Sequence, residues 1–264
     1  MEYWEQLWDA ADPNWRGDPP EQIPLMPNFC DYLPDKLWNL KMLRHPQVDR
    51  MMELGAQRFG YAFCVTACPT CRACVPARIA VDGFPWSKSE RRTLRRNEDL
   101  QLRIENVSYT PEKYKMLVKF VGTKFEDRTR FFKTEEERVD YYMRFHLHHP
   151  DHSREVQYWE GDRLLGVSIV DVGSYSLYSH YFFYDLRERR RRLGIYSFLR
   201  EIQTCQLLGF PYLYVGFINN RTKALQYKSQ FSNLEVLVPE LGWVPYKEVE
   251  RSLGHPNGTS TAHA

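Results

Sequence analysis

The stretch from residue 177 to residue 217 constrains the fold of this chain more than any other. Residues 177–184 (Leu-Tyr-Ser-His-Tyr-Phe-Phe-Tyr) form a dense aromatic run that reads as a strand. Arg191-Arg192-Leu193-Gly194 follows, and Ile195, Phe198, Leu199, Ile202 and Cys205 then recur at helical spacing. Gly209 and Pro211 end that helix, and residues 212–217 read as the next strand. A glycine where a strand turns into a helix lets the backbone approach a ligand closely. The N–H groups of the first helical turn then form an anion site. Cys205, on the apolar stripe, reads as a core residue.

The segments around this unit are compatible with it. Residues 155–159, the turn Glu160-Gly161-Asp162 and residues 163–171 form a hairpin pattern. Residues 78–81 read as a strand, and residues 48–54 with Gly55 as a short helix with its C-terminal glycine. Ser87-Lys-Ser-Glu90 and Thr134-Glu-Glu-Glu137 are capping-box patterns, each opening a helix. Pro13, Pro19, Pro20, Pro24 and Pro27 deny residues 1–29 a continuous helix and predict an extended arm. Residues 251–264 read as a disordered tail.

Two clusters carry chemistry. Cys68-Pro-Thr-Cys71-Arg-Ala-Cys74 has the paired spacing by which thiolates face one ion, and Cys64 and Cys30 precede it. The helix opened by Ser87 carries Lys88, Arg91, Arg92, Arg95 and Arg96 at i, i+3, i+4, i+7 and i+8, so five cations share one face. With a net charge of only +2, the chain is no bulk polyanion binder, and contact with nucleic acid must be local. That face is the candidate for phosphate contact. No stretch has the apolar length of a membrane span, and no secretory pattern opens the chain, which predicts a cytoplasmic, reducing setting. The histidines at 146, 148, 149 and 152 sit beside Pro150 in a loop pattern and read as surface residues.

In order along the chain, Cys30-Asp-Tyr-Leu-Pro-Asp35, Cys68 to Ile79, Ser87 to Asn97, Asp171-Val172, Tyr181-Phe-Phe-Tyr-Asp185, Leu193-Gly-Ile-Tyr196, Tyr212 to Phe217 and Tyr227-Lys228 resemble the aminoacyl-tRNA–protein transferases of the N-degron pathway. The resemblance covers about residues 30–237. It implies an α+β fold, with a cysteine-bearing N-terminal lobe at 30–130 and a GCN5-related N-acyltransferase-like lobe with a mixed sheet at 131–250. It implies the reaction too: leucine or arginine moves from charged tRNA to the α-amino group of a protein beginning with Asp or Glu. The spacing of the cysteines favours leucine, because it resembles the bacterial branch.

Residue roles follow from that resemblance. Cys64 stands where relatives usually have an aromatic, so Cys30, Cys68, Cys71 and Cys74 are the expected metal ligands, for a structural zinc or an iron–sulfur cluster; the chemistry itself requires no cofactor. Asp185 or Tyr196 handles the amine proton, and the N–H groups beside Gly194 receive the oxyanion or the terminal ribose. Arg72, Arg78 and Lys228 are candidates for the acidic acceptor residue, and Arg191, Tyr184 and Tyr227 complete the substrate-binding set. The expected partners are aminoacyl-tRNA and proteins with N-terminal Asp or Glu, with no membrane. A coenzyme A-dependent N-acetyltransferase is the rival reading; it leaves the cysteines and the basic helix unexplained. The other rival, a non-catalytic metal-dependent RNA-binding module, has no use for the residues between Tyr181 and Tyr196.

Overall fold

The computed structural model describes residues 21–24, 39–43, 48–59, 62–66, 73–124, 134–137, 139, 152–219, 227–239 and 241–253. Two sheets organise them. The smaller is antiparallel, in the order β1-β2-β4-β3, from β1 (Glu21–Pro24), β2 (Asn39–Leu43), β3 (Gln57–Phe59) and β4 (Ala62–Thr66). Helix α1 (Val48–Glu53) connects β2 to β3 and ends at Gly55, whose φ of 75° suits glycine.

The larger sheet is mixed and has eight strands, in the order β12-β11-β5-β10-β9-β8-β7-β6. They are β5 (Val75–Ala80), β6 (Gln101–Asn106), β7 (Ser153–Glu160), β8 (Arg163–Val172), β9 (Ser176–Tyr184), β10 (Tyr212–Ile218), β11 (Leu234–Val238) and β12 (Gly242–Pro245). All neighbours in it are antiparallel except β9 and β10. A parallel pair needs a crossover, and the amphipathic segment after Arg192 supplies it as α4 (Leu193–Leu208). Further helices are α2 (Lys88–Arg96), α3 (Pro111–Lys124) and α5 (Tyr246–Val249). The division expected at residue 130 runs through this sheet, since β5 and β6 precede it and the other six strands follow.

The main core lies where α4 covers the sheet centre: Phe198, Leu199, Ile202 and Cys205 pack on Val75, Ile79, Leu177, Leu213 and Val236. Cys205 is buried, as its spacing predicts. On the far wing, Tyr114, Leu117 and Phe120 of α3 pack on Val167, Ile169 and Phe183. Buried charges join the elements. Lys113 Nζ reaches both carboxylate oxygens of Glu155, at 2.8 and 2.9 Å. Arg58 of β3 pairs with Asp171 of β8 at 2.5 Å, and Asp49 of α1 accepts Ser174 N–H and the Ser176 hydroxyl. The last two contacts tie the small sheet and α1 to the β8–β9 end of the large one.

Candidate functional site

The loop into α4 is built from arginine. Asp185 caps a 3-10 turn, Leu186–Arg191, after which Arg192 adopts φ 56°, ψ 42°. It is the only non-glycine residue in the left-handed region among the described residues, a conformation that costs an ordinary side chain on the order of 1 kcal/mol. Helix α2 holds it there: Arg192 Nη1 donates to Ser89 Oγ at 3.0 Å and Thr93 Oγ1 at 3.3 Å, and Asn97 Nδ2 donates to Arg191 O at 2.9 Å. The turn expected at Gly194 therefore lies two residues earlier. Gly194 is already helical, and a Cβ there would meet nothing nearer than Phe182 Cδ1 at 4.0 Å. Its missing side chain leaves open space beside the first N–H groups of α4.

The loop before α4 also borders a cavity of ≈ 780 Å³ lined by Arg96, Asp99, Arg189, Arg190, Arg191 and Arg192. The arginines do different work. Arg191 is neutralised, since it grips Asp99 at 2.9 and 2.8 Å and also bonds Glu160. The same contact holds the Asp99 carboxyl below its usual range. Arg96 Nη1 donates to Arg190 O at 2.6 Å, which docks α2 against the loop. Arg189 and Arg190 are exposed, and their side chains make no hydrogen bond or ion pair among the described residues. Lys88, Arg92 and Arg95 are exposed in the same way, and Arg91 Nε donates to Trp86 O at 3.3 Å. The capping box of α2 is formed, with Ser87 N–H on Glu90 Oε2 at 2.6 Å and Glu90 N–H on Ser87 Oγ at 3.2 Å. The basic helix and the loop into α4 thus share one cationic surface. Arg189 and Arg190 were not singled out from the sequence, although four consecutive arginines ahead of a helix are a readable signal.

A second feature lies behind the loop. Strands β9 and β10 share only three rungs, Tyr212↔Ser176, Leu213↔Leu177 and Tyr214↔Tyr178, and then part, although each continues for several residues. At the parting, β10 bulges at Gly216, whose φ is 79°; a Cβ there would come within 3.0 Å of Gln57 Oε1. Lys228 is buried beside it, donates to Phe217 O at 2.8 Å, and is pulled down to about 7 by burial. Cys74 Sγ accepts the Asn219 side-chain N–H at 3.2 Å.

From the helix side, Glu201 of α4 meets β8 and β9 at Ser168 and Ser179 and is 3% exposed. Ser168 Oγ donates to its Oε1 at 2.6 Å, while Oε2 has no hydrogen-bond partner among the described residues. Burial pushes the carboxyl up to about 7, against the lowering influence of the nearby Ser168 and Ser179 hydroxyls. The Tyr227 hydroxyl is raised first by burial and then by the Glu201 and Tyr184 charges, so it lies near this carboxylate even though the residue as a whole is 41% exposed. The sequence contains a sign of Glu201: it stands at i+3 from Phe198 and i−4 from Cys205, a carboxylate on the apolar stripe.

The other predicted residues have varied surroundings. The Asp185 carboxylate is held by Arg187 at 3.0 and 2.9 Å and lies below its usual range for that reason. Tyr196 donates to Asn97 O at 3.2 Å, and burial raises its hydroxyl. Arg78 pairs with Glu235 at 2.8 Å and lies over the rings of Tyr212 and Trp243, at 3.6 and 4.4 Å. The Tyr184 ring stacks on Phe182 at 5.5 Å. Cys30, Cys68, Cys71 and Arg72 lie outside the described residues, as do residues 254–264 of the predicted tail and all of the predicted arm except residues 21–24, which form β1. Among the described residues, no helix is long and apolar enough to cross a membrane.

Comparison with known proteins bears on this site. Residues 28–92 match the family model described as arginine-tRNA-protein transferase, N terminus, and residues 112–238 match the corresponding C terminus. An aspartate/glutamate leucyltransferase of Stutzerimonas stutzeri is 30% identical over 224 residues, covering 83% of this chain and 93% of that protein. The enzymes of the same name from Chromohalobacter salexigens and Hahella chejuensis are 30% and 27% identical, covering 80% and 81% of this chain and 87% and 92% of theirs. The solved structure of L-PGS from Bacillus licheniformis superposes only loosely, with a TM-score of 0.34 at 11% identity, over 58% of this chain and 49% of that one. Matches to both halves of the model, and relatives covered almost end to end, establish that the chain belongs to the aminoacyl-tRNA–protein transferase family and is a tRNA-dependent aminoacyltransferase.

Proposed function

We propose that this chain moves leucine from its charged tRNA to the α-amino group of proteins beginning with Asp or Glu, in the cytoplasm, and so marks them for degradation. The observation that carries the proposal is the end-to-end agreement with relatives named aspartate/glutamate leucyltransferase. Arginine is the second reading, favoured by the description of the family models. A GCN5-related architecture for the large sheet is supported by the lone parallel pair, its α4 crossover and the anion-binding loop between them.

An aminoacyl ester is already activated, so positioning an amine against it supplies much of the rate without a covalent intermediate. The tRNA phosphates run along Lys88, Arg92 and Arg95 into the cavity at Arg189 and Arg190. The N–H groups of Leu193 and Gly194 precede the first bonds of α4, from Ile195 and Tyr196 to Arg192 O, and receive the terminal ribose or the oxyanion. Lys228 and Arg72 are the cations for the acceptor's acidic side chain.

A structural zinc or iron–sulfur cluster on Cys30, Cys68, Cys71 and Cys74 belongs to the same proposal. Cys74 suits it, being a half-buried sulfur that accepts an amide N–H, as a thiolate ligand does. Such a group supplies folding energy to the first lobe when bound. The test is incubation with labelled leucyl-tRNA, arginyl-tRNA or acetyl-coenzyme A and an Asp-starting peptide, with an Ala-starting control. Leucine on the Asp peptide alone is the expected result; acetylation without aminoacylation refutes the proposal.

A further inference from the structure

We propose that Glu201 is the group that accepts the proton from the acceptor's α-ammonium, and so is a catalytic residue of the transfer. The inference rests on the aminoacyl-transfer function proposed above.

The reaction needs a proton acceptor, because an α-ammonium has no lone pair with which to attack an ester. Both candidates from the sequence are engaged elsewhere. Asp185 is clamped by Arg187 and held in its charged form, which makes it a weak base. Tyr196 already donates its proton to Asn97 O.

Glu201 differs from both. It lies beside Ser168 of β8 and Ser179, the first residue of β9 beyond the last rung shared with β10, so its carboxylate sits over the sheet where β9 leaves β10. Oε1 is fixed by Ser168, and Oε2 is buried and unpartnered among the described residues. A buried carboxylate oxygen without a donor is costly, and an ammonium N–H is the donor that fits it. The neighbours do not neutralise it. Tyr158 of β7, Tyr227 of the 3-10 turn Tyr227–Gln230 and Cys205, one turn along α4, are raised by burial first and by the Glu201 charge second. Arg200, the adjacent cation, turns to Gln203 at 2.9 Å. Ser168 and Ser179 are neutral. With burial raising Glu201 to about 7, it takes and returns a proton near ambient pH, the optimum for a general base.

The step balances. Glu201 takes one proton from the ammonium, and the free amine nitrogen then forms the C–N bond to the ester carbonyl. The tetrahedral intermediate collapses by breaking the C–O bond to the ribose. The second nitrogen proton goes to that leaving oxygen, and Glu201 returns its own proton to solvent.

The experiment uses the full chain in single-turnover transfer from leucyl-tRNA and from arginyl-tRNA to an Asp-starting peptide, at pH 5.5–9. The wild-type rate is expected to fall on the acid side with an apparent pKa near that of Glu201. Glu201→Gln is expected to lose about 10²–10⁴-fold in rate and to lose the acid limb, with charged-tRNA binding within twofold of wild type. Ser168→Ala is the second variant: it removes a bond that lowers the Glu201 pKa, so the acid limb moves to higher pH. Titration of the peptide amine alone leaves the limb where it was. Glu201→Gln within threefold of wild type, or an unmoved limb in Ser168→Ala, overturns the assignment while leaving the function standing. No transfer by the wild type from either tRNA overturns both.

Discussion

Removing the four arginines that lack partners, Arg92, Arg95, Arg189 and Arg190, tests whether the shared surface of α2 and the α4 loop holds RNA. None of these side chains has a hydrogen bond or ion pair among the described residues, so their loss leaves the fold's own contacts intact. If each neutralises one phosphate, the slope of log K against log salt becomes shallower by roughly 0.7–0.9 per arginine, or about 3 in all. At about 0.15 M salt that corresponds to an affinity loss on the order of 10²-fold or more from counterion release. Filter binding or fluorescence anisotropy with charged tRNA from 50 to 400 mM salt measures both quantities. Lys247→Ala, on α5, serves as the control. Arg191→Ala offers a sharper contrast: its charge is already answered by Asp99 and Glu160, so it should lower the melting temperature while changing the slope little. A quadruple variant with the wild-type slope refutes the argument, as does an Arg191 variant that loses as much slope per residue as the other four.

Other outcomes follow from single contacts. Glu201 has its folded pKa raised to about 7 from 4.5, so the folded state binds the proton more tightly; stability is greatest below about pH 4.5 as far as this group is concerned and falls by about 3 kcal/mol as pH rises through 7. Glu201→Gln should flatten that part of a melting-temperature profile over pH 5–8, and an unchanged profile contradicts the burial argument. Lys113→Met leaves the Glu155 charge buried without its partner and should cost about 3–5 kcal/mol in urea unfolding, whereas pairing it with Glu155→Leu should restore most of the loss. Gly194→Ala meets no protein atom closer than Phe182 Cδ1, so it should stabilise the fold by about 1 kcal/mol while slowing transfer. Equal stability and full activity would show that no ligand approaches there.

Periodicity made the centre of the fold readable. Apolar residues at 195, 198, 199, 202 and 205 predict α4, and the aromatic run before it predicts β9. The same habit hid Glu201, because reading the stripe for apolar residues passes over the one carboxylate standing on it. Strand β6 escaped notice although Leu102 and Ile104 alternate with polar residues, because the run is only six residues long and nearly all of it is exposed. The α3 helix has a diffuse pattern, with Lys113 among its buried residues; the Glu155 carboxylate, brought near in space, and Ser108 explain why a lysine can lie there. The left-handed turn at Arg192 could not be read locally. Glycine is the expected residue for that conformation, and what holds an arginine in it is Ser89 and Thr93, about a hundred positions earlier.

The position of β5 has a consequence for how the chain is made. It lies between β10 and β11, with Val75, Ala77 and Ile79 buried against partners that come near the end of the sequence. Ala80 leaves the ribosome about 130 residues before Tyr212. At 5–20 residues per second, that is a wait of roughly 7–26 s with both edges of an apolar strand unpaired. Nascent chains stalled anywhere before Tyr212 lack both neighbours, so β5 stays open to non-native pairing throughout that interval. Its native pairing begins only when β10 emerges.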